Sequence, residues 1–235
     1  MKNAIINRIS RRSYEDTPLI KEEQAYIKEL TDTLNSHSGL SMEFVEDGSA
    51  AFSSIKASYG LFKNIRSLIL MKGRKEDQNL CEKIGYYGED FVLSVTDLNL
   101  GTCWVGGTFD KAKFQIAETE KLICVIVVGK TSGVSMKERM IRGAARRKMK
   151  PLEERITADR PLPEWVIAGM QAVLLAPSAK NAQKVTFRYE NQTVSADIPD
   201  HEDMDWVDLG IAKKHFEIEA KGYFDFGGGA IFHKL

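Results

Sequence analysis

Apolar and polar positions along this chain recur with two periods, and the period decides which element each stretch predicts. Tyr26, Ile27, Leu30 and Leu34 lie on one helical stripe, so Lys21–Leu34 reads as an amphipathic helix. A shorter helix over Met1–Ile9 precedes it and stops at the polar Ser10–Ser13 loop. Phe91, Val92, Val95 and Leu98 mark a central helix over Gly88–Leu100, with Gly101 as its stop. Pro163–Leu175 is nearly uncharged, which predicts a buried helix. Asp205–Lys221 gives the last helix, closed by Gly222.

Short apolar runs supply the strands. Leu40–Val45 and Ser67–Met71 are two of them, and Lys121–Gly129, the most apolar, is expected in the middle of a sheet. Lys184–Tyr189 and Thr193–Ile198, joined at Glu190-Asn191, predict a hairpin, and Gly229–Phe232 a final strand. Arg139–Lys150 is strongly basic and is the one stretch resembling a linker, although its pattern is too regular for disorder.

The order helix, strand, helix, strand occurs twice. Pro18-Leu19, Arg12, Asp16 and Phe44 align with Pro161-Leu162, Arg155, Asp159 and Phe187. At another offset Gly101 and Gly106-Gly107 align with Gly222 and Gly227-Gly228. An internal duplication accounts for both, with one half over residues 1–150 and the other over 151–235. Two unrelated halves with coincidental glycines are the other reading.

Composition narrows the function classes. At 235 residues, 43% hydrophobic and 28% charged, the chain has an ordinary globular make-up. Its 33 basic and 33 acidic residues cancel, so no overall field steers it to nucleic acid or an anionic membrane. No apolar run reaches the roughly 18 residues of a membrane span, and no signal segment opens the chain, which points to the cytoplasm. Cys81, Cys103 and Cys124 lack metal-ligand spacing and read as reduced, mostly buried thiols. His37, His201, His215 and His233 are scattered, and no metal site is expected.

Three segments carry candidate chemistry. Arg11-Arg12-Ser13 offers two guanidinium groups and a hydroxyl, a set suited to a phosphate monoester, or else a solvated basic turn. Glu15, two places after the Ser, would repel a phosphate if it pointed inward, and Arg146-Arg147-Lys148 is the cation cluster that could compensate. Pro177-Ser178-Ala179-Lys180-Asn181-Ala182-Gln183 follows the buried helix and precedes a strand. Its Ser and Asn can meet the alternating donors and acceptors of a flat polar ring, or simply form a turn. Leu98–Gly107 contains Gly101-Thr102-Cys103-Trp104 and then Val105-Gly106-Gly107, where the backbone could approach a ligand closely, or where a capped helix leads to a buried Trp.

Together these segments resemble motifs of the FMN-dependent nitroreductase family, and in particular its single-chain members, in which one polypeptide mimics the usual homodimer. The resemblance covers most of the chain. It departs at Glu15, where the family carries a basic residue, and at Lys184-Val185, where it carries Pro-Trp. It implies an α+β nitroreductase-like fold, a central mixed or antiparallel sheet flanked by helices, and two related halves. It implies FMN bound by Arg11, Arg12, Ser13, Trp104, Val105, Gly106, Gly107, Arg147, Lys148, Pro177, Ser178, Ala179, Asn181 and Gln183. Because the first half keeps the basic motif and the second keeps Pro-Ser-x-x-Asn, one complete site is expected, with a ruined counterpart at Glu154-Arg155-Ile156 and Asn35-Ser36. The implied activity is ping-pong NAD(P)H oxidation with a nitroaromatic, quinone or similar small acceptor, by a monomeric pseudo-dimer without a protein acid or base. A flavin-binding redox sensor without turnover, and a cofactor-free interaction domain, are the alternatives.

Overall fold

A computed structural model describes residues 3–53, 62–147, 149–200 and 202–235. The chain divides into two compact units. One comprises Met1–Ile6, Cys81–Asp90 and Gly143–Leu235, the other Asn7–Leu80 and Phe91–Arg142.

The second of these is built on a four-stranded antiparallel sheet. Its strands are β1 (Glu43–Val45), β2 (Ser67–Arg74), β3 (Gly101–Val105) and β4 (Glu120–Gly129), in the order β1-β2-β4-β3. β4 has a strand on each side and is buried from Leu122 to Val128, as its continuous apolar run requires. Leu68, Leu70, Val125 and Val127 meet Tyr14, Phe52 and Phe109 in the core beside it. Helix α2 (Lys21–Ser38) runs four residues beyond the expected end at Leu34. Glu23 accepts the Ile20 N–H at its start, and Gly39, at φ 71°, donates to Asn35 O at its end. Ile27, Thr31 and Leu34 form its buried stripe.

The other unit pairs β5 (Ile156–Ala158) with β6 (Thr186–Glu190) in parallel, and β6 with β7 (Thr193–Asp197) antiparallel. The hairpin turns on Asn191-Gln192, both at positive φ, one residue later than expected. β8 (Gly222–Phe224) pairs with β9 (Phe232–Lys234). Helix α5 (Glu164–Val173) packs against α6 (Asp203–Ala220), and Gly169 makes room for the Phe216 ring. Phe187, Phe216, Phe224 and Phe232 fill the core with Trp165 against them.

Other elements depart from expectation as well: the last strand is β9 at Phe232–Lys234 rather than Gly229–Phe232, and three helices differ. α3 spans Leu80–Asp97 rather than starting at Gly88, and Gly85 within it leaves room for the Val207 backbone. It stops before Asn99, which takes φ 62°, and Gly101 opens β3 instead of capping the helix. The linker-like stretch forms α4 (Met136–Arg147). The short α1 (Asn3–Asn7) stands where Met1–Ile9 was expected, with Met1 and Lys2 outside the described residues. Among the described residues, no helix is long and apolar enough to cross a membrane.

Candidate functional site

Arg11–Tyr14 lies beside the sheet as an extended segment. The Arg11 N–H donates to Thr102 O at 2.7 Å, and Lys63 N–H donates to Arg12 O at 2.9 Å. Gly101 lacks a Cβ where the Arg11 side chain passes, with Arg11 Cγ only 2.8 Å from the place a Cβ would occupy. The basic motif and the Gly-Thr-Cys-Trp strand are thus neighbours within one unit. Tyr14 is buried and donates its hydroxyl to Arg11 O at 2.9 Å, and burial drives its pKa well up. Glu15 is exposed, so its carboxylate points to solvent.

The anion beside Arg11 comes from the chain itself. Ser135-Met136-Lys137-Glu138 begins α4 as a capping box. The Ser135 N–H and hydroxyl donate to Glu138 Oε2 at 2.9 and 2.8 Å, and the Glu138 N–H returns to Ser135 Oγ. The other oxygen, Oε1, accepts Arg12 N–H at 2.7 Å, Ser13 N–H at 3.2 Å and Arg11 Nε at 3.3 Å. Arg11 Nη2 donates to the carbonyls of Ser132 and Gly133. Burial pushes the Glu138 carboxyl up, but the hydrogen bonds from Arg12, Ser135 and Ser13 outweigh it and hold it at about 2. Arg11 is therefore committed to holding the start of α4. Arg12 and Ser13, both half-buried, lend Glu138 only their backbone N–H groups. Their guanidinium and hydroxyl stand outside that clasp.

β3 carries the next candidates. Thr102, Cys103 and Val105 are buried, whereas Trp104 and Gly106 are half-buried and Gly107 is exposed. A Cβ on Gly107 would meet nothing within 4 Å, so a flat group can come close to the backbone there. Cys103 is enclosed, and burial pushes its thiol up to about 11, which keeps it protonated and unreactive.

The Pro177–Gln183 loop belongs to the other unit and has a strained backbone. Lys180, Asn181 and Gln183 adopt φ of 52°, 54° and 50°, values that residues with side chains seldom take. Several contacts hold it. Ser178 Oγ accepts the Gln183 N–H at 3.0 Å, and the Gln183 Oε1 accepts the Lys150 N–H at 3.1 Å. Both oxygens of Asp208, on α6, accept the Ala179 N–H at 2.9 and 3.0 Å. The Lys150 contact ties the loop to the chain just past the basic cluster. Arg147 ends α4, but its side chain, that of Arg146, and all of Lys148 lie outside the described residues.

Sequence reasoning missed Glu138, Asp208 and a row of buried charges on α3 and α6. Lys213 meets Glu82 at 2.5 Å, and Glu82 also accepts the Gly227 N–H at 2.6 Å. Glu89 meets His215 Nε2 at 2.9 Å, Asp90 meets Lys214 at 2.9 Å, and Tyr86 donates to Glu217. The capping-box spacing at Ser135–Glu138 was the one sequence signal available for any of these. In the positions expected for a ruined site, Arg155 is buried and donates to Val185 O at 3.0 Å, while Asn35 and Ser36 lie within α2.

A family model described as "Putative TM nitroreductase" matches residues 1–220. Among solved structures, one from Thermotoga maritima MSB8, described as a putative nitroreductase, superposes with a TM-score of 0.64 at 20% identity. The match covers 97% of this chain and 90% of that one, so the two share a fold over nearly their whole length. A nitroreductase family protein from Clostridium difficile 630 gives a TM-score of 0.49 at 18% identity, covering 66% of this chain and 96% of its own. An FMN-dependent nitroreductase from Clostridium difficile R20291 gives 0.47 at 19%, covering 57% and 90%. No curated protein matches the chain.

Proposed function

The chain belongs to the nitroreductase family whose model spans residues 1–220, and on that premise we propose that it is an FMN-dependent NAD(P)H oxidoreductase. Its acceptor is a nitroaromatic, a quinone or a similar small oxidised molecule, reached by a ping-pong sequence in a monomeric chain. Bound FMN would supply the redox chemistry, taking a hydride from the nicotinamide and passing two electrons on to the acceptor.

The observation that carries this reading is the Ser178–Gln183 loop. The segment expected at a flavin ring takes a backbone with three left-handed residues and is pinned by Asp208 and Ser178. Strain of this kind persists where the surrounding structure enforces it, and it gathers at ligand sites. The residues present suit the cofactor in three respects. Arg12 and Ser13 keep their side chains outside the Glu138 clasp and are suited to a phosphate. Gly107 leaves open space at its Cα, where a ring can approach. Asn181 is of the right chemistry for a pyrimidine edge. We assign Arg12 and Ser13 to the phosphate, Trp104–Gly107 and Pro177–Gln183 to the ring, and Arg147 with Lys148 as supporting cations. Arg11 acts through the start of α4. No side chain is asked to donate or remove a proton.

One observation favours a second reading. Arg11 Nε and the N–H groups of Arg12 and Ser13 already donate to Glu138, and Arg11 Nη2 to the carbonyls of Ser132 and Gly133, as in a domain that needs no cofactor. The absorbance spectrum of the purified protein separates the two. A flavin spectrum, with NAD(P)H oxidised in the presence of a quinone or nitroaromatic, supports the oxidoreductase. A flavin spectrum without turnover leaves a flavin-binding sensor. A colourless protein that takes up no added FMN removes the flavin reading.

A further inference from the structure

We propose that Asp208 is a positioning residue whose carboxylate holds the Ser178–Gln183 loop in the shape that meets the flavin ring, so that the loop's grip on flavin varies with pH. The inference rests on the reading of that loop as a flavin-binding segment.

Asp208 is buried in α6, with 3% of its surface exposed. Its two oxygens converge on one backbone donor, the Ala179 N–H, at 2.9 and 3.0 Å. The next residues, Lys180 and Asn181, are left-handed, and Gln183 is again left-handed before the chain enters β6. The other ties close the loop on itself, through Ser178 and Gln183, or join it to Lys150. Asp208 therefore supplies a charged anchor to a segment whose conformation is otherwise costly. A charged acceptor holds an N–H more firmly than a neutral acid does. Protonation of Asp208 would loosen the loop at the point where its strain begins.

The groups facing Asp208 do not fix its charge. Asp205, one turn earlier on α6, opposes a second negative charge. Lys184, which follows the loop, favours it but is bound to Asp205 at 2.9 Å and Asp200 at 2.8 Å. Arg155, just before β5, also favours it, with its Nε donated to Val185 O at 3.0 Å. Among the described residues Asp208 makes no ion pair. Burial outweighs the Ala179 hydrogen bond and raises its carboxyl to about 7. Its charge then changes within the physiological range.

The probe is riboflavin, because the phosphate of FMN titrates in the same range. Riboflavin affinity is measured from pH 6 to pH 8 for the wild type and for Asp208→Asn, which keeps an acceptor but not a charge. A single group at about 7 passes from about nine-tenths protonated to about one-tenth over that range. Riboflavin should bind several-fold more tightly to the wild type at pH 8 than at pH 6, and Asp208→Asn should show a flat profile. A flat wild-type profile, or the wild-type slope retained in Asp208→Asn, overturns the proposal. Hydrogen exchange at the Ala179 amide in the flavin-free wild type, corrected for intrinsic pH dependence, gives a second readout that needs no variant to fold. Protection that rises with the same midpoint supports the anchor, and protection independent of pH overturns it. If riboflavin and FMN bind at no pH while Ala179 protection follows the titration, the flavin reading fails and the hold of Asp208 on the loop stands.

Discussion

Gly85 of α3 and Gly210 of α6 touch the same place on each other's helix. A Cβ on Gly85 would collide with Val207 O, and a Cβ on Gly210 would collide with Glu82 O, each three residues before the opposite glycine. The charges one turn further on exchange in the same way. Glu89 pairs with His215, and Asp90 pairs with Lys214, so consecutive residues on one helix meet consecutive residues on the other in reversed order. Both helices are 18 residues long. Each helix thus presents a glycine and, one turn on, a charged pair to the other at matching places.

Alanine at Gly85 or Gly210 should therefore be strongly destabilising. Alanine raises helix propensity by about 1 kcal/mol over glycine, but here its methyl meets a backbone oxygen that cannot rotate away. The net cost is expected at roughly 2 kcal/mol or more by urea denaturation. Gly143→Ala on α4 is the control, since a Cβ there meets nothing within 4 Å. Equal effects at all three positions would mean that the crossing is looser than its geometry indicates.

Arg11 and Ser13 should separate by ligand. Arg11 holds Glu138 and the carbonyls of Ser132 and Gly133, so Arg11→Ala should weaken FMN and riboflavin alike and lower the melting temperature. Ser13→Ala, and more so Arg12→Ala, should weaken FMN while sparing riboflavin, because only FMN carries the phosphate. A lost charge-assisted bond is worth about 1.5–3 kcal/mol, roughly a tenfold to hundredfold change in Kd. Calorimetric titration of both ligands into each variant decides. A phosphate-selective loss in Arg11→Ala instead would return that guanidinium to the cofactor.

Acid should release α4 through Glu138. Its carboxyl lies at about 2, below the ordinary value of 4.5, so its contribution to stability is present above pH 4.5 and is lost as pH falls towards 2. The shift is worth at most about 3 kcal/mol. Glu138→Gln should be less stable than the wild type at pH 7, with the gap narrowing between pH 4.5 and pH 3. A gap that does not change with pH would show that the capping geometry matters and the charge does not.

Strands β1, β2 and β4 are legible in their apolar runs and α2 in its apolar stripe, whereas β3 is not, because Gly101 reads as a helix stop. β4 was placed mid-sheet from its run of Leu122 to Val128, and it lies there. The failures have particular causes. The apolar stripe of Phe91, Val92, Val95 and Leu98 marks only the later part of α3, whose earlier part carries Glu82, Gly85 and Glu89 where α6 packs against it. Gly101 was read as a helix stop, but Asn99 had already turned the chain and Gly101 makes room for Arg11. The density of Lys and Arg after Met136 hid a capping box, and with it α4. Lys213 and His215 are fully buried on α6, and no apolar stripe could announce charges that pair only across helices. The loop at Pro177–Gln183 was visible as a motif, but its anchor, Asp208, lies 29 residues from Ala179 and only the fold joins them.

The proposed split of motifs between two halves predicts one FMN per chain. The second glycine-rich turn, at Gly227, has its N–H committed to Glu82, which is itself paired with buried Lys213. The equivalent backbone donor is therefore spent in that half. Flavin released by heat, measured against protein, should give a ratio near one. A ratio near two would contradict the assignment of one intact and one ruined site.

The sharpest comparison is between Asn181 and Ser38, its counterpart in the proposed duplication. Ser38 ends α2, where its hydroxyl donates to Leu34 O at 2.7 Å and accepts the Leu40 N–H at 3.0 Å. Ser38→Ala should cost roughly 1 kcal/mol of stability and leave flavin binding unchanged. Asn181 adopts φ 54°, so alanine there would both remove the amide and strain the backbone. Asn181→Gly separates the two effects, since glycine takes the left-handed conformation freely. The glycine variant should fold with near wild-type stability, bind FMN more weakly and shift the flavin reduction potential. The shift follows because a hydrogen bond to the pyrimidine edge favours one redox state over the other. Titration with FMN and a potentiometric measurement read both effects. Weakened flavin binding in Ser38→Ala with none in Asn181→Gly would reverse the intact and ruined sites, and no effect in either would remove Asn181 from the cofactor altogether.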